Sequence, residues 1–121
     1  MPANPQRITV RHMGQDVTVT ATLAREGSIE TVKGRERRVG QVYEITLDGE
    51  RIGYAHYRLV TRERRTPGKR YVNARWYSPA WLASQEEGYA PPHREQSSRK
   101  AVIESLLWDH RQREKGQSHA D

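Results

Sequence analysis

The chain has 121 residues, 34% of them hydrophobic and 30% charged, which leaves room for one modest core. It has no cysteine, so disulfides, thiolate catalysis and cysteine-based zinc sites are excluded. The net charge is +6 and the pI about 10.0, a balance that points to a polyanionic partner only where the cations cluster.

Residues 1–6 read as a flexible lead, residues 7–116 as a single domain and residues 117–121 as a flexible tail. The first ten residues are polar, with two prolines and no signal-peptide core, and no apolar run reaches the roughly 18 residues of a membrane span. A soluble, cytosolic protein is the expectation, in keeping with the missing cysteines. Residues 7–23 alternate apolar and polar around Gly14-Gln15-Asp16 and predict a β-hairpin. Residues 28–33 are a weaker strand, closed by Gly34. Residues 39–47 alternate, with Val39, Tyr43, Ile45 and Leu47 on one side, and Asp48-Gly49 is a tight-turn dipeptide. Residues 51–61 resume the alternation, Thr66-Pro67-Gly68-Lys69 is a second turn, and residues 70–77 form a third strand. Ser78-Pro79 looks like the cap and first residue of a short helical turn through Ser84. Residues 86–96 read as loop, and the whole segment 78–97 is too long for a bare connector and should fold over a sheet edge or form a partner site. Ser97 or Ser98 can cap a last helix of about residues 98–115, with Val102, Ile103, Leu106, Leu107 and His110 on one face and Gly116 as its stop. The expected fold is α+β: an N-terminal β-hairpin, a three-stranded antiparallel meander over about residues 37–77, and one C-terminal helix packed on its apolar face.

The charge is concentrated. Residues 58–75 carry seven basic side chains (Arg58, Arg62, Arg64, Arg65, Lys69, Arg70, Arg75) against one acid, Glu63, a net +6 equal to the excess of the whole chain. Period-2 alternation puts Ala55, Tyr57 and Leu59 on the core side of the middle strand and Tyr54, His56, Arg58, Arg62 and Arg64 on the other. In the third strand Val72, Ala74 and Trp76 go to the core side, leaving Tyr71, Asn73, Arg75 and Tyr77 to join the arginines. Such a face suits nucleic acid. Arginine grips phosphate and reads guanine, asparagine reads adenine, and tyrosine or histidine stacks on bases. A β-ribbon can enter a major groove. The proposed grip is Arg58, Arg62, Arg64, Arg65, Lys69 and Arg70 on phosphates, with Tyr54, His56, Tyr71, Asn73, Arg75 and Tyr77 at bases or sugar. Arg35, Arg37 and Arg38 could add phosphate contacts. The competing expectations are a protein-docking surface, such as an inhibitor seated on an acidic or nucleic-acid-binding groove, and a plain solvated sheet face.

Catalysis is not expected. His12, His56, His93, His110 and His119 show no metal-ligand spacing, and the basic strands carry no carboxylate cluster for a two-metal nuclease. Asp109-His110 could form a local polar pair, with no nucleophile beside it. A metal-independent ribonuclease using His56, Tyr54 and Arg58 is a minor alternative. No phosphate-binding glycine loop is present and no cofactor is expected. Trp76, Trp81 and Trp108 read as core. Arg75-Trp76-Tyr77-Ser78, followed by Ser98-Arg99-Lys100-Ala101, resembles in outline the last strand and helix start of the three-stranded DNA-binding domains of the plant AP2 type and of some integrase N-terminal arms. That resemblance spans residues 39–113 and implies a DNA-binding meander.

Overall fold

Met13-Gly14, Lys33-Gly34 and Asp48-Gly49 each close a two-residue hairpin with positive φ at both central residues (53° and 78°, 51° and 77°, 51° and 83°). These are the turns whose twist matches that of paired strands. They join β1 (Gln6–His12) to β2 (Gln15–Arg25), β3 (Ser28–Val32) to β4 (Arg35–Val39), and β5 (Gln41–Leu47) to β6 (Glu50–Arg65). A long β7 (Val72–Ser84), a 3-10 turn at Pro92–Arg94, the two-residue β8 (Glu95–Gln96) and helix α1 (Arg99–Ser118) complete the order. The computed structural model describes residues 5–65, 67–68 and 72–118. Among them no helix is long and apolar enough to cross a membrane.

The expected three-stranded meander is not the unit of this fold. β5, β6 and β7 are adjacent, but they are the middle of one curled six-stranded antiparallel sheet in the order β1-β2-β5-β6-β7-β8, and the protein is mostly β. The N-terminal hairpin joins that sheet because β2 pairs with β5, Thr20 opposite Thr46 and Leu23 opposite Tyr43. The strand expected over residues 39–47 breaks at Gly40. Residues before it turn away as β4 and pair only with β3 in a separate ribbon. β4 reads Arg-Glu-Arg-Arg-Val and buries Val39 alone, so it has no alternation to detect. The AP2-like outline therefore does not describe this chain.

α1 covers one face of the sheet. Val102, Ile103, Leu106 and Leu107 pack with Ile8, Val10, Val19, Ala21, Ile45, Ile52, Ala55 and Ala83. Ser98 caps it, its Oγ accepting from the Ala101 N–H at 3.2 Å. The first turn carries cations where the helix dipole disfavours them, but the Arg99 guanidinium lies 5.1 Å from the Tyr43 ring centre and 6.0 Å from that of Trp81. Two β6 residues, Ile52 and Gly53, fill the space of one against β5, a bulge between Ile45 and Thr46. A Cβ on Gly53 would collide with the Leu106 side chain and stand 2.9 Å from the Ser84 carbonyl oxygen. Glycine there lets helix and sheet close. Trp108, expected in the core, is 49% exposed. It follows Leu107 by 100° of helical rotation and leaves the buried face.

The second face is covered too. The helical turn expected over residues 79–84 is instead the end of β7, paired with β6 from Leu59↔Pro79 to Tyr54↔Ser84. Pro79 sits where β7 has a neighbour on one side only, the position a sheet tolerates in proline. Residues 85–91 fold over this end, and Val60, Ala80, Leu82 and Ala90 make a small second core beneath them. With both faces buried, Ala80-Trp81-Leu82-Ala83 shows no period of two.

Candidate nucleic-acid interface

β5 pairs with β6 only as far as Tyr57. From Arg58 to Arg65 the sole strand neighbour of β6 among the described residues is β7, so the two run on together as a free ribbon. This is the basic segment the sequence singles out. Pro67 and Gly68 lie in its turn. Lys69, Arg70 and Tyr71, expected to bind there, lie outside the described residues, as does the side chain of Asn73.

The ribbon does not gather its cations on one face. Thr61 stands opposite Tyr77, Arg62 opposite Trp76, Glu63 opposite Arg75 and Arg64 opposite Ala74. Directly opposed residues point the same way. Arg58, Arg62 and Arg64 thus share a face with Trp76, while Arg65, Arg75 and Tyr77 share the other with Glu63. The expected convergence of Arg75 and Tyr77 with Arg62 and Arg64 is corrected by this register.

Most of these guanidiniums are also engaged. Arg62 forks onto both carboxylate oxygens of Glu95, with Nη1 to Oε2 at 2.8 Å, and its Nε donates to Ser78 Oγ at 2.9 Å. That hydrogen bonding raises Arg62 above the usual arginine value and holds Glu95 below the ordinary carboxylate range. Glu63 accepts from Arg65 at 3.3 Å and from Arg75 at 3.0 Å, and these bonds hold its carboxyl low, Arg65 first. Half-buried Arg58 donates to the Ala90 carbonyl at 3.2 Å. Arg64 is exposed and has no hydrogen-bond or ion-pair partner among the described residues. Tyr77 is 59% exposed.

Tyr54 and His56, expected on the open face, are each 5% exposed. His56 Nε2–H donates to the Glu86 carbonyl at 2.9 Å, which fixes the tautomer. Burial pushes the His56 pKa down, outweighing that hydrogen bond, and the Arg58 charge adds to the shift. Tyr54 Oη accepts from Arg51 at 2.9 Å. Both rings are therefore buried rather than on the open face where alternation placed them.

What sequence reasoning ranked low is the β3–β4 hairpin. It carries Lys33, Arg35, Arg37 and Arg38 against Glu30 and Glu36. Arg38 is tied to the Glu26 carbonyl at 3.3 Å. Lys33, Arg35 and Arg37 are exposed and form no ion pair among the described residues. Together with Val32, Glu36, Ser78 and Pro79 they line a cleft of about 660 Å³ between this hairpin and the β6–β7 ribbon. The run Lys33 to Arg38 was the available signal, hidden by its short, charged strand.

No family model, curated protein or solved structure matches this chain. What the cleft can hold is set by its own chemistry. Three cations without an ion pair among the described residues and one acid, Glu36, favour an anion, and an open cleft between two ribbons suits an extended one.

Proposed function

We propose that the protein binds nucleic acid without catalysis, with duplex DNA as the preferred form, as an accessory or regulatory factor. The observation that carries this reading is the cleft in which the exposed Lys33, Arg35 and Arg37 of the β3–β4 hairpin face the β6–β7 ribbon at Ser78 and Pro79. Residues 28–39 hold four basic and two acidic side chains, and residues 58–77 seven and one, so the two ribbons carry +8 in a chain of net +6. The remainder of the molecule is net acidic, which orients a polyanion toward this side. In this reading Lys33, Arg35 and Arg37 hold phosphates, Arg64 extends the contact along the ribbon, and Tyr77 offers an exposed ring to sugar or base. Arg62, Arg65 and Arg75 stiffen the ribbon through Glu95 and Glu63 rather than gripping DNA.

The test is binding of a random duplex measured across salt concentrations. Removing Lys33, Arg35 and Arg37 together (each to Ala) is expected to flatten the log-affinity against log-salt slope by roughly 2–3 units. Removing Arg7 and Arg11, exposed on β1, should leave it nearly unchanged. Equal slopes for both variants would reject the cleft. A second reading, docking on an acidic protein, is favoured by exposed Ile29 and Tyr77, one on each ribbon. It prevails if the chain fails to bind duplex at low salt.

A further inference from the structure

We propose that Glu50, His110 and Glu114 form a binding site for one divalent transition-metal ion of the zinc class, on the opposite end of α1 from its cap. Glu50 opens β6 directly after the Asp48-Gly49 turn, and His110 and Glu114 stand one turn apart on α1. His110 Nε2 lies 3.1 Å from Glu114 Oε1 and 3.9 Å from Glu50 Oε2. One donor atom from each residue falls within 4.8 Å of the others. Ligands at about 2.0–2.2 Å from a common ion stand about 3.4 Å apart in a tetrahedron. The two carboxylates are exposed, and the ion would draw them in around the ring in exchange for their present partners.

The ring itself is placed by burial, at 9% exposure, beside Leu106 and Leu107 of the core. A single ring nitrogen faces two carboxylates. A divalent ion would take one donor atom from each of the three residues and offset both carboxylate charges. Arg51 and Arg113 line the same cavity of about 410 Å³. Their guanidiniums are directed elsewhere, Arg51 to Tyr54 Oη at 2.9 Å and Arg113 to Gln85 Oε1 at 2.8 Å. They wall the cavity and limit the affinity. An imidazole with two carboxylates, open to solvent for a water ligand, selects zinc-like ions over magnesium or calcium, which take oxygen ligands. The ion would strap the β5–β6 turn to a helix 60 positions along the chain, so it binds the folded state and raises its stability.

The experiment is calorimetric titration of the untagged, EDTA-treated full chain with zinc chloride, beside thermal melting and the visible spectrum with cobalt(II). One ion per chain, tetrahedral-type cobalt bands and a higher Tm with zinc but not magnesium are expected. Glu50→Gln, at an exposed turn position that leaves the core intact, and His110→Asn should each weaken zinc binding at least about tenfold, since loss of even an outer partner costs that much. Absence of zinc binding below millimolar concentration overturns the proposal. So does zinc affinity in Glu50→Gln equal to that of the unaltered chain.

Discussion

His56 is a buried histidine with one hydrogen-bond partner on the main chain. Its ring is buried, bonded to a carbonyl, and its pKa is depressed chiefly by desolvation. The folded state therefore binds a proton less readily than the unfolded chain, whose histidine titrates near the ordinary value of 6.5. Its contribution to stability is complete above that value and is lost as pH falls from there toward the lower folded pKa. Thermal melts are expected to show Tm declining as pH drops below about 6.5. His56→Gln, which keeps a donor toward Glu86, should flatten that decline, and an unchanged pH profile would show that His56 is not its source. A further acid-side loss belongs to Glu63 and Glu95. Their lowered pKa values make their pairing effective above the ordinary carboxylate range and cancel it below. Glu63 and its partners are exposed, so that term is small.

At the scale of elements, the contact between α1 and β6 depends on Gly53. Its φ of 152° is one that side chains rarely adopt, and the space a Cβ needs is taken by Leu106 and the Ser84 carbonyl. Gly53→Ala combines backbone strain with overpacking and should cost about 2–4 kcal/mol. Chemical denaturation measures it directly. A loss below about 0.5 kcal/mol, the scale of ordinary surface changes, would mean the bulge relaxes freely. The neighbouring loop of residues 85–91 is held by side chains to main chain: Gln85 to the Ile52 carbonyl, Ser84 to the Tyr89 carbonyl and Arg58 to the Ala90 carbonyl. Arg94 then ties the 3-10 turn to Ser105 and Asp109 of α1. Asp109 is committed there, and His110 pairs with glutamates instead, so the Asp109–His110 pair suggested by adjacency does not form.

For the whole molecule, the relation between the two ribbons matters most. Gly27 and Gly40 flank the β3–β4 hairpin where it leaves the main sheet, and both have positive φ (74° and 90°). A Cβ on Gly27 would strike the Val39 carbonyl oxygen and crowd Gln41 N. Gly27→Ala should therefore displace the hairpin without touching the main core. Expected are a modest fall in Tm and a loss of duplex affinity comparable to removal of Lys33, Arg35 and Arg37. Duplex affinity unchanged in a folded Gly27→Ala chain would separate the hairpin's placement from binding. The proposed metal site lies at the β5–β6 turn and α1, at the end of β6 opposite to its Arg58–Arg65 ribbon, so zinc should stabilise the chain without altering the salt dependence of the proposed duplex binding.

The sequence alone located the paired strands of β1–β2, the Asp48-Gly49 turn, the helix with its Ser98 cap and buried face, and the basic segment 58–75. Each is a local property: dihedral preference at a turn, hydrogen bonding at a cap, side-chain period along one element, or a run of like charge. It could not determine how the faces of β6 and β7 match. Alternation says which residues of a strand share a side, whereas pairing register says which sides of two strands coincide, and here it set Tyr77 opposite Thr61. Nor could it foresee Glu86 meeting the buried His56, or His110 meeting Glu50 across 60 positions. Those juxtapositions arise from long-range packing, where no short window of residues carries the information.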